Sequence, residues 1–177
     1  MLPPPDRNLI LTGYIGANLP ALGQRIAERL RMPFVNTDIH IEARAGMLLT
    51  DFRDRYGESR LKTLEAEVMQ DTVLRRGSVI FISGHTLMVG DYAQRIQQTG
   101  PVICLVATLD SVLQRLHLTL GARYHNPSER ALAVGQLKRE WAVRKLDGIH
   151  VIDVTTMNEA EILEAVVALW QRVAVNS

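Results

Sequence analysis

The residues with the clearest chemical meaning sit near the N-terminus, in Gly13-Tyr14-Ile15-Gly16-Ala17-Asn18-Leu19-Pro20. They follow a short apolar run and precede a helical pattern. A strand, a glycine-bearing turn and a helix N-terminus form a cradle for phosphate, through backbone N–H groups and the helix dipole. The full phosphate-binding pattern is Gly-x-x-x-x-Gly-Lys-Ser/Thr. Aligned to it, Gly13 keeps the first place, Asn18 stands at the second glycine, Leu19 at the lysine and Pro20 at the hydroxyl residue. Pro20 brings no hydroxyl and no N–H, and it biases Leu19 away from helical geometry, so the turn is expected to enter its helix differently. Asn18 is the mildest change, because asparagine tolerates left-handed backbone. Gly13 and Gly16 are equally explained by a tight turn that binds nothing.

The elements that must position this turn are legible as short apolar runs alternating with 3.6-periodic stretches, the pattern of a parallel α/β sheet covered on both faces. The runs predict strands at Leu9–Leu11, Phe34–Val35, Val79–Ile82, Val102–Leu105 and Val151–Ile152. Helices are predicted over Ala21–Leu30, Glu58–Arg75 and Asp110–Leu116. Another begins at Asn126-Pro127, with Glu129 placed for a capping contact, and carries Val134, Leu137 and Trp141 on one face. The last runs from about Glu159 to Ala174, capped by Asn158 with Glu161 three residues on, and turns Ile162, Val166, Leu169 and Val173 inward. Trp141 and Trp170 fit these stripes as core residues.

Read as a whole, the chain resembles the shikimate kinases, members of the nucleoside-monophosphate-kinase-like P-loop group. Gly13, Gly16, Gly23, Ile26-Ala27 and Leu30 fall in register with that family's loop and first helix. Phe34, Asp38, Ile41 and Glu42 match its Phe-x-Asp-x-Asp-x-x-Ile-Glu, with Asn36 in place of the first aspartate. Gly46, Phe52, Gly57-Glu58 and Glu65 follow, and Val79–His85 resembles Val-Ile-x-x-Gly-Gly-Gly. The resemblance spans about residues 8–155. It implies a three-layer α/β/α P-loop kinase-like fold with a five-stranded parallel sheet, as one domain over 1–177 with a lid at about 117–130.

The resemblance also implies roles. The degenerate nucleotide site comprises Gly13, Gly16, Ala17, Asn18, Leu19 and Pro20, with Arg115 on the adenine side and Arg123 near the lid. The acceptor site comprises Asp38, which binds substrate hydroxyls and takes a proton in an active enzyme, with Lys62, Ser83, Gly84, His85 and Arg139. Asp38 is also placed to cap a helix, and Lys62 and Arg139 to be solvated surface charges. Lys62 replaces an arginine and loses its planar grip on a carboxylate. Ser83 and His85 replace glycines, and His85 is left between filling a dead pocket and conferring a new specificity. The stretch from Arg123 to Arg139 is about four residues short of the family's spacing.

Phosphoryl transfer is mostly positioning and charge neutralisation, so the missing cation and metal-binding groups at Leu19, Pro20 and Asn36 bear directly on rate. At about 1.5–3 kcal/mol per lost charged hydrogen bond, three losses amount to roughly 5–9 kcal/mol if additive. No lysine precedes Lys62 to compensate. The expected function is a shikimate-kinase-like protein, catalytically impaired, that binds a metabolite or a protein partner. A working kinase on shikimate or a related hydroxylated acid, with ATP and Mg²⁺ at a rebuilt site, is the alternative. An interaction module with an empty pocket is the third. The first and third call for no cofactor.

Composition narrows the classes further. The chain has 177 residues, 47% hydrophobic and 22% charged, with net charge +1. That is globular, without a global field to recruit nucleic acid or an acidic membrane. Its lone Cys104 excludes an internal disulfide, and His40, His117, His125 and His150 lack ligand spacing, so no metal site is expected. Residues 1–7 lack the layout of an export signal, which favours the cytoplasm.

Overall fold

The computed structural model describes residues 6–16 and 18–176; Ala17 and residues 1–5, on which most of the export reading rests, lie outside the described residues. Five strands, β1 (Leu9–Gly13), β2 (Phe34–Asn36), β3 (Val79–Phe81), β4 (Val102–Val106) and β5 (His150–Asp153), form one parallel sheet in the order β2-β3-β1-β4-β5. This is the expected sheet, with each strand within two residues of its apolar run.

Alternate strand residues build two cores, because both faces are covered. Leu9, Leu11, Phe81, Ile103 and Leu105 pack on one face. They meet Leu22 and Ile26 of α1 (Leu19–Leu30), Val112 and Leu116 of α7 (Leu109–Leu120), and Ile162 and Val166 of α9 (Glu159–Asn176). Ile10, Ile80, Val102 and Cys104 face the other side. There they meet Met69 of α4 (Glu58–Thr72), Leu87 of α5 (Gly84–Leu87) and Ile96 of α6 (Tyr92–Gln97). Two further helices, α2 (Thr37–Ala45) and α3 (Leu49–Tyr56), pack against α4, and α8 (Pro127–Glu140) leads into a 3₁₀ turn at Trp141–Lys145. Trp141 and Trp170 are partly buried against the first core. No helix among the described residues is long and apolar enough to cross a membrane.

Several local expectations change. Helix α4 stops at Thr72 rather than Arg75, and α7 runs on to Leu120. The short helices α2, α3, α5 and α6 carry no sequence pattern strong enough to announce them. The caps of α8 and α9 form as their spacing predicts: Asn126 Oδ1 accepts from Ser128 N at 2.9 Å, and Asn158 and Glu161 bond each other's backbone N–H reciprocally.

Candidate functional site

At the C-terminal end of β1 the chain turns through Gly13 (φ +115°) and Gly16 (φ +75°). Both glycines are demanded by packing. A Cβ on Gly13 would run into the Leu105 carbonyl, and one on Gly16 into the Val112 carbonyl. Ile15 between them is fully buried in the first core.

The turn enters α1 without the distortion expected from Pro20. Leu19 is the first helical residue, Asn18 caps the helix by accepting from Ala21 N at 3.1 Å, and Pro20 occupies the first turn. An N–H is unpaired there in any helix, so the proline removes no helical bond. Leu19 is only 4% exposed and packs in the core, and this burial outweighs the pre-proline bias. Asn18 has φ −76°, so the left-handed tolerance of asparagine is not used.

The cap of α2 also departs from expectation. Asn36, not Asp38, is the N-cap, accepting from Asp38 N at 3.1 Å. Asp38 is left free in the first helical turn. It is partly buried, and its Oδ1 is fully buried with no hydrogen-bond partner among the described residues. Such an orphan costs about 1–3 kcal/mol. Burial first, and the Glu140 carboxylate second, push the Asp38 carboxyl up to about 6. Glu42 and Glu65 add to this and His85 opposes it.

Beyond β3 the chain reads Ser83-Gly84-His85 and forms α5. The imidazole of His85 is gripped from both sides: Nε2 lies 3.0 Å from Glu65 Oε1 and Nδ1 lies 3.1 Å from Glu140 Oε1. The His85 backbone N–H also donates to Glu140 Oε2 at 3.0 Å. Glu65 and Glu140 are each 2% exposed. Thr86 Oγ1 donates to Glu65 and Gln136 Nε2 to Glu140. The hydrogen bonds to Glu140 and then Glu65 raise the imidazole to about 9 against the opposing effect of burial, so it is an imidazolium near neutrality. Gly84 is required by the same contact: a Cβ there would stand 2.8 Å from Glu140 Oε2 and 2.9 Å from Val143 Cβ.

Between the turn, α2, β3 and α8 lies a cavity of about 190 Å³. Gly13, Asn18, Leu19 and Pro20 line one side and Asp38 and Ser83 another, so six of the sequence-derived site residues converge. Tyr14, Phe81, Gln136 and Glu140 complete it, and none of these was singled out from the sequence as a site residue. Tyr14 Oη donates to Ala133 O at 3.3 Å, which ties the turn to α8. The signal that could have exposed the two glutamates is their place on apolar stripes. Glu65 shares a face with Leu61, Val68 and Met69, and Glu140 follows Leu137 by three.

The cationic candidates go elsewhere. Lys62 is exposed and makes no ion pair among the described residues. Arg139 is exposed, donates to Gln136 Oε1 at 2.8 Å, and faces a separate open cleft with Arg53. Arg123 is exposed in the 3₁₀ turn Gly121–His125, within the segment expected to be the lid. Arg115 is absorbed by the fold. Its Nη2 donates to Val154 O at 2.6 Å and Met157 O at 3.1 Å, pinning α7 to the connection after β5.

This geometry does not fit the triphosphate and Mg²⁺ that a kinase would need. No lysine or arginine lines the cavity, the residue at the lysine position is buried hydrocarbon, and Asn36 Oδ1 is occupied as a cap. Pockets for larger ligands run to roughly 300–1,000 Å³, above this cavity's size. The described residues contain no group of three or more His, Cys, Asp or Glu arranged to hold a metal ion. Cys104 is buried and its thiol is pushed up to about 11 by burial, which excludes it as a nucleophile.

Comparison with known proteins gives this chain a lineage. The sequence model of the shikimate kinase family matches residues 20–170, beginning one residue after Leu19. A shikimate kinase of Thermodesulfovibrio yellowstonii is 26% identical over 171 residues, covering 95% of this chain and 97% of the relative. One from Thermus thermophilus is 28% identical over 174 residues, covering 96% and 94%. Among solved structures, shikimate kinase from Bacteroides thetaiotaomicron has a TM-score of 0.72 at 21% identity, covering 94% of this chain and 96% of that one. Shikimate kinase from Acinetobacter baumannii, solved in complex with shikimate, has a TM-score of 0.71 at 22% identity, covering 97% and 94%. At these identities the structural likeness speaks to the fold.

Proposed function

The chain belongs to the shikimate kinase family, and from that premise we propose that it binds a small molecule without transferring phosphate from ATP. Leu19 carries this reading. Where the family's pattern puts a lysine, this chain has an apolar side chain that is 4% exposed and packed into the core. No alternative rotamer gives it a charge. The neighbouring groups support the same conclusion: Pro20 has no N–H to offer, Asn36 is spent on its helix, and Arg115 is bonded to backbone carbonyls. The described residues that line the cavity include no cation to neutralise charge in a transfer reaction, which supports binding without transfer.

The acceptor side supports binding. The Acinetobacter baumannii relative holds shikimate, and ligands of open parallel sheets sit outside the carboxyl ends of the strands. In this chain that end is the cavity beside Asp38. His85, in place of a glycine, does not line the cavity; it reaches it through Glu140, with Glu65 on its far side. This indirect position supports neither a His85 that fills the pocket nor one that touches its ligand; its ring acts on the cavity through Glu140.

One observation favours the alternative of a working kinase. The Asp38 carboxyl, at about 6, is suited to accept a proton from a hydroxyl near neutral pH. The two readings separate in a phosphoryl-transfer assay with ATP, Mg²⁺ and shikimate, followed by ADP release. The proposal expects no release above the protein-free background. Shikimate-dependent release that Asp38→Asn abolishes would overturn it.

A further inference from the structure

A second cavity, of about 500 Å³, lies between α7 and α8, on a different face of α8 from the one that carries Gln136 and Glu140. Leu137 is its buried floor, Leu113, Val134 and Trp141 are half-buried walls, and exposed Leu109 and Lys138 form the rim. Leu109 and Leu113 are four residues apart and so share one flank of α7. Arg115 and Thr119 take the other flank, donating to Val154 O and Gly16 O. The groove is therefore distinct from the cavity at the turn and from the flank that Arg115 ties to the connection after β5. Lys138 is the one charged residue lining it among the described residues. A second positive charge lies over the Trp141 ring, with the Arg144 guanidinium 4.3 Å from the centroid. Neither cation makes an ion pair among the described residues, and Asp153 and Arg144 act on each other from beyond ion-pair distance.

The dimensions select the occupant. Along α8 the lining runs from Val134 to Trp141, about 10 Å at a rise of about 1.5 Å per residue, and along α7 it covers one turn. That length accepts one ring with a short side chain, whereas a stable protein partner covers about 800 Å² on each side. A second copy meeting the groove across a two-fold axis would set concave against concave and leave the space unfilled. Apolar and aromatic walls, a single polar group and a volume within roughly 300–1,000 Å³ are the features of a small-molecule site. The polar group here is a cation, and so the complementary ligand group is an anion. We infer that the groove between α7 and α8 binds a small aryl monocarboxylate, with its ring against Leu113, Leu137 and Trp141 and its carboxylate at Lys138. An aromatic ring suits the half-buried indole, which packs it edge-to-face or offset. The inference is independent of whether the chain transfers phosphate.

The test uses three probes of one shape, phenylbutyrate, phenylbutanol and phenylbutylammonium, titrated calorimetrically into the full chain at neutral pH and low salt. The acid is expected to bind about threefold tighter than the alcohol, as an exposed ion pair gives, and about tenfold tighter than the ammonium, which the lysine repels. Lys138→Gln brings the acid to the affinity of the alcohol and leaves the alcohol unchanged. Leu113→Ser weakens acid and alcohol alike, by about threefold or more, through the lost wall. Should either variant not fold, a salt series on the unsubstituted chain decides: high salt removes the advantage of the acid and leaves the alcohol bound. Absence of acid binding, equal affinity for acid and ammonium, or an acid preference that survives Lys138→Gln would overturn the inference. So would displacement of the acid by shikimate, which would put the probe in the cavity beside Asp38. Self-association in sedimentation that Leu113→Ser abolishes would overturn it too, by making the groove an interface between copies.

Discussion

Replacing His85 with asparagine tests whether the imidazolium holds the two buried glutamates together. His85 lies 3.0 Å from Glu65 and 3.1 Å from Glu140, each 2% exposed. Its proton affinity is raised from the ordinary 6.5 to about 9, which at about 1.4 kcal/mol per pH unit corresponds to about 3 kcal/mol of stability. A raised value means the folded protein binds the proton more tightly than the unfolded chain does. The contribution is therefore complete below about pH 6.5 and is lost as pH rises through about 9. Urea denaturation of both proteins between pH 6 and 10 reads the difference directly, and burial of Cys104, which also acts above pH 9, cancels in it. The expected gap is about 3 kcal/mol at pH 6, in keeping with the cost of breaking a buried ion pair, and it closes toward zero by pH 10. A gap that stays constant across this range would show that His85 acts by shape alone and would refute the reasoning.

Other expectations follow from the same geometry. Asp38→Asn should stabilise the protein by about 1–3 kcal/mol at pH 8 by removing a buried charge that faces the Glu140 carboxylate. Because the folded value of about 6 lies above the ordinary one, Asp38 costs stability above pH 6, and the advantage of the variant should fade as pH falls toward 4 in thermal denaturation. Rebuilding the phosphate pattern with Asn18→Gly, Leu19→Lys and Pro20→Ser together should lower stability by about 2–5 kcal/mol, since Leu19 is core, and should not create ATP turnover in an ADP-release assay. Gly84→Ala should cost about 1–3 kcal/mol by driving a methyl group against Glu140 and Val143, measured by urea midpoint.

The sheet was legible because its strands are buried on both faces, so each reads as an unbroken apolar run between punctuating turns. Their order was not legible, since nothing local says that β1 sits between β3 and β4. The altered turn is visible as residue types, but its geometry is not. The local bias of Pro20 points away from a helix, whereas the burial of Leu19, a tertiary effect, decides the geometry. Asn36 and Asp38 show the same limit, since either type can cap a helix and only the observed bond to Asp38 N selects Asn36. The His85 network depends on Glu65, 20 residues before it, and Glu140, 55 residues after it. An acid on an apolar stripe was the available sign, and its partner could be found only in three dimensions. The resemblance assigns Arg115 and Arg139 to the site, but charge in a sequence does not say where a long side chain ends.

The most direct test of the central claim is calorimetric titration of ATP into the protein in millimolar Mg²⁺, with and without shikimate. With buried leucine at the lysine position, proline after it and no cation in the cavity, no saturable heat is expected at millimolar nucleotide. Saturable, Mg²⁺-dependent binding of one ATP per chain, lost in Arg115→Ala or Arg123→Ala, would contradict the account.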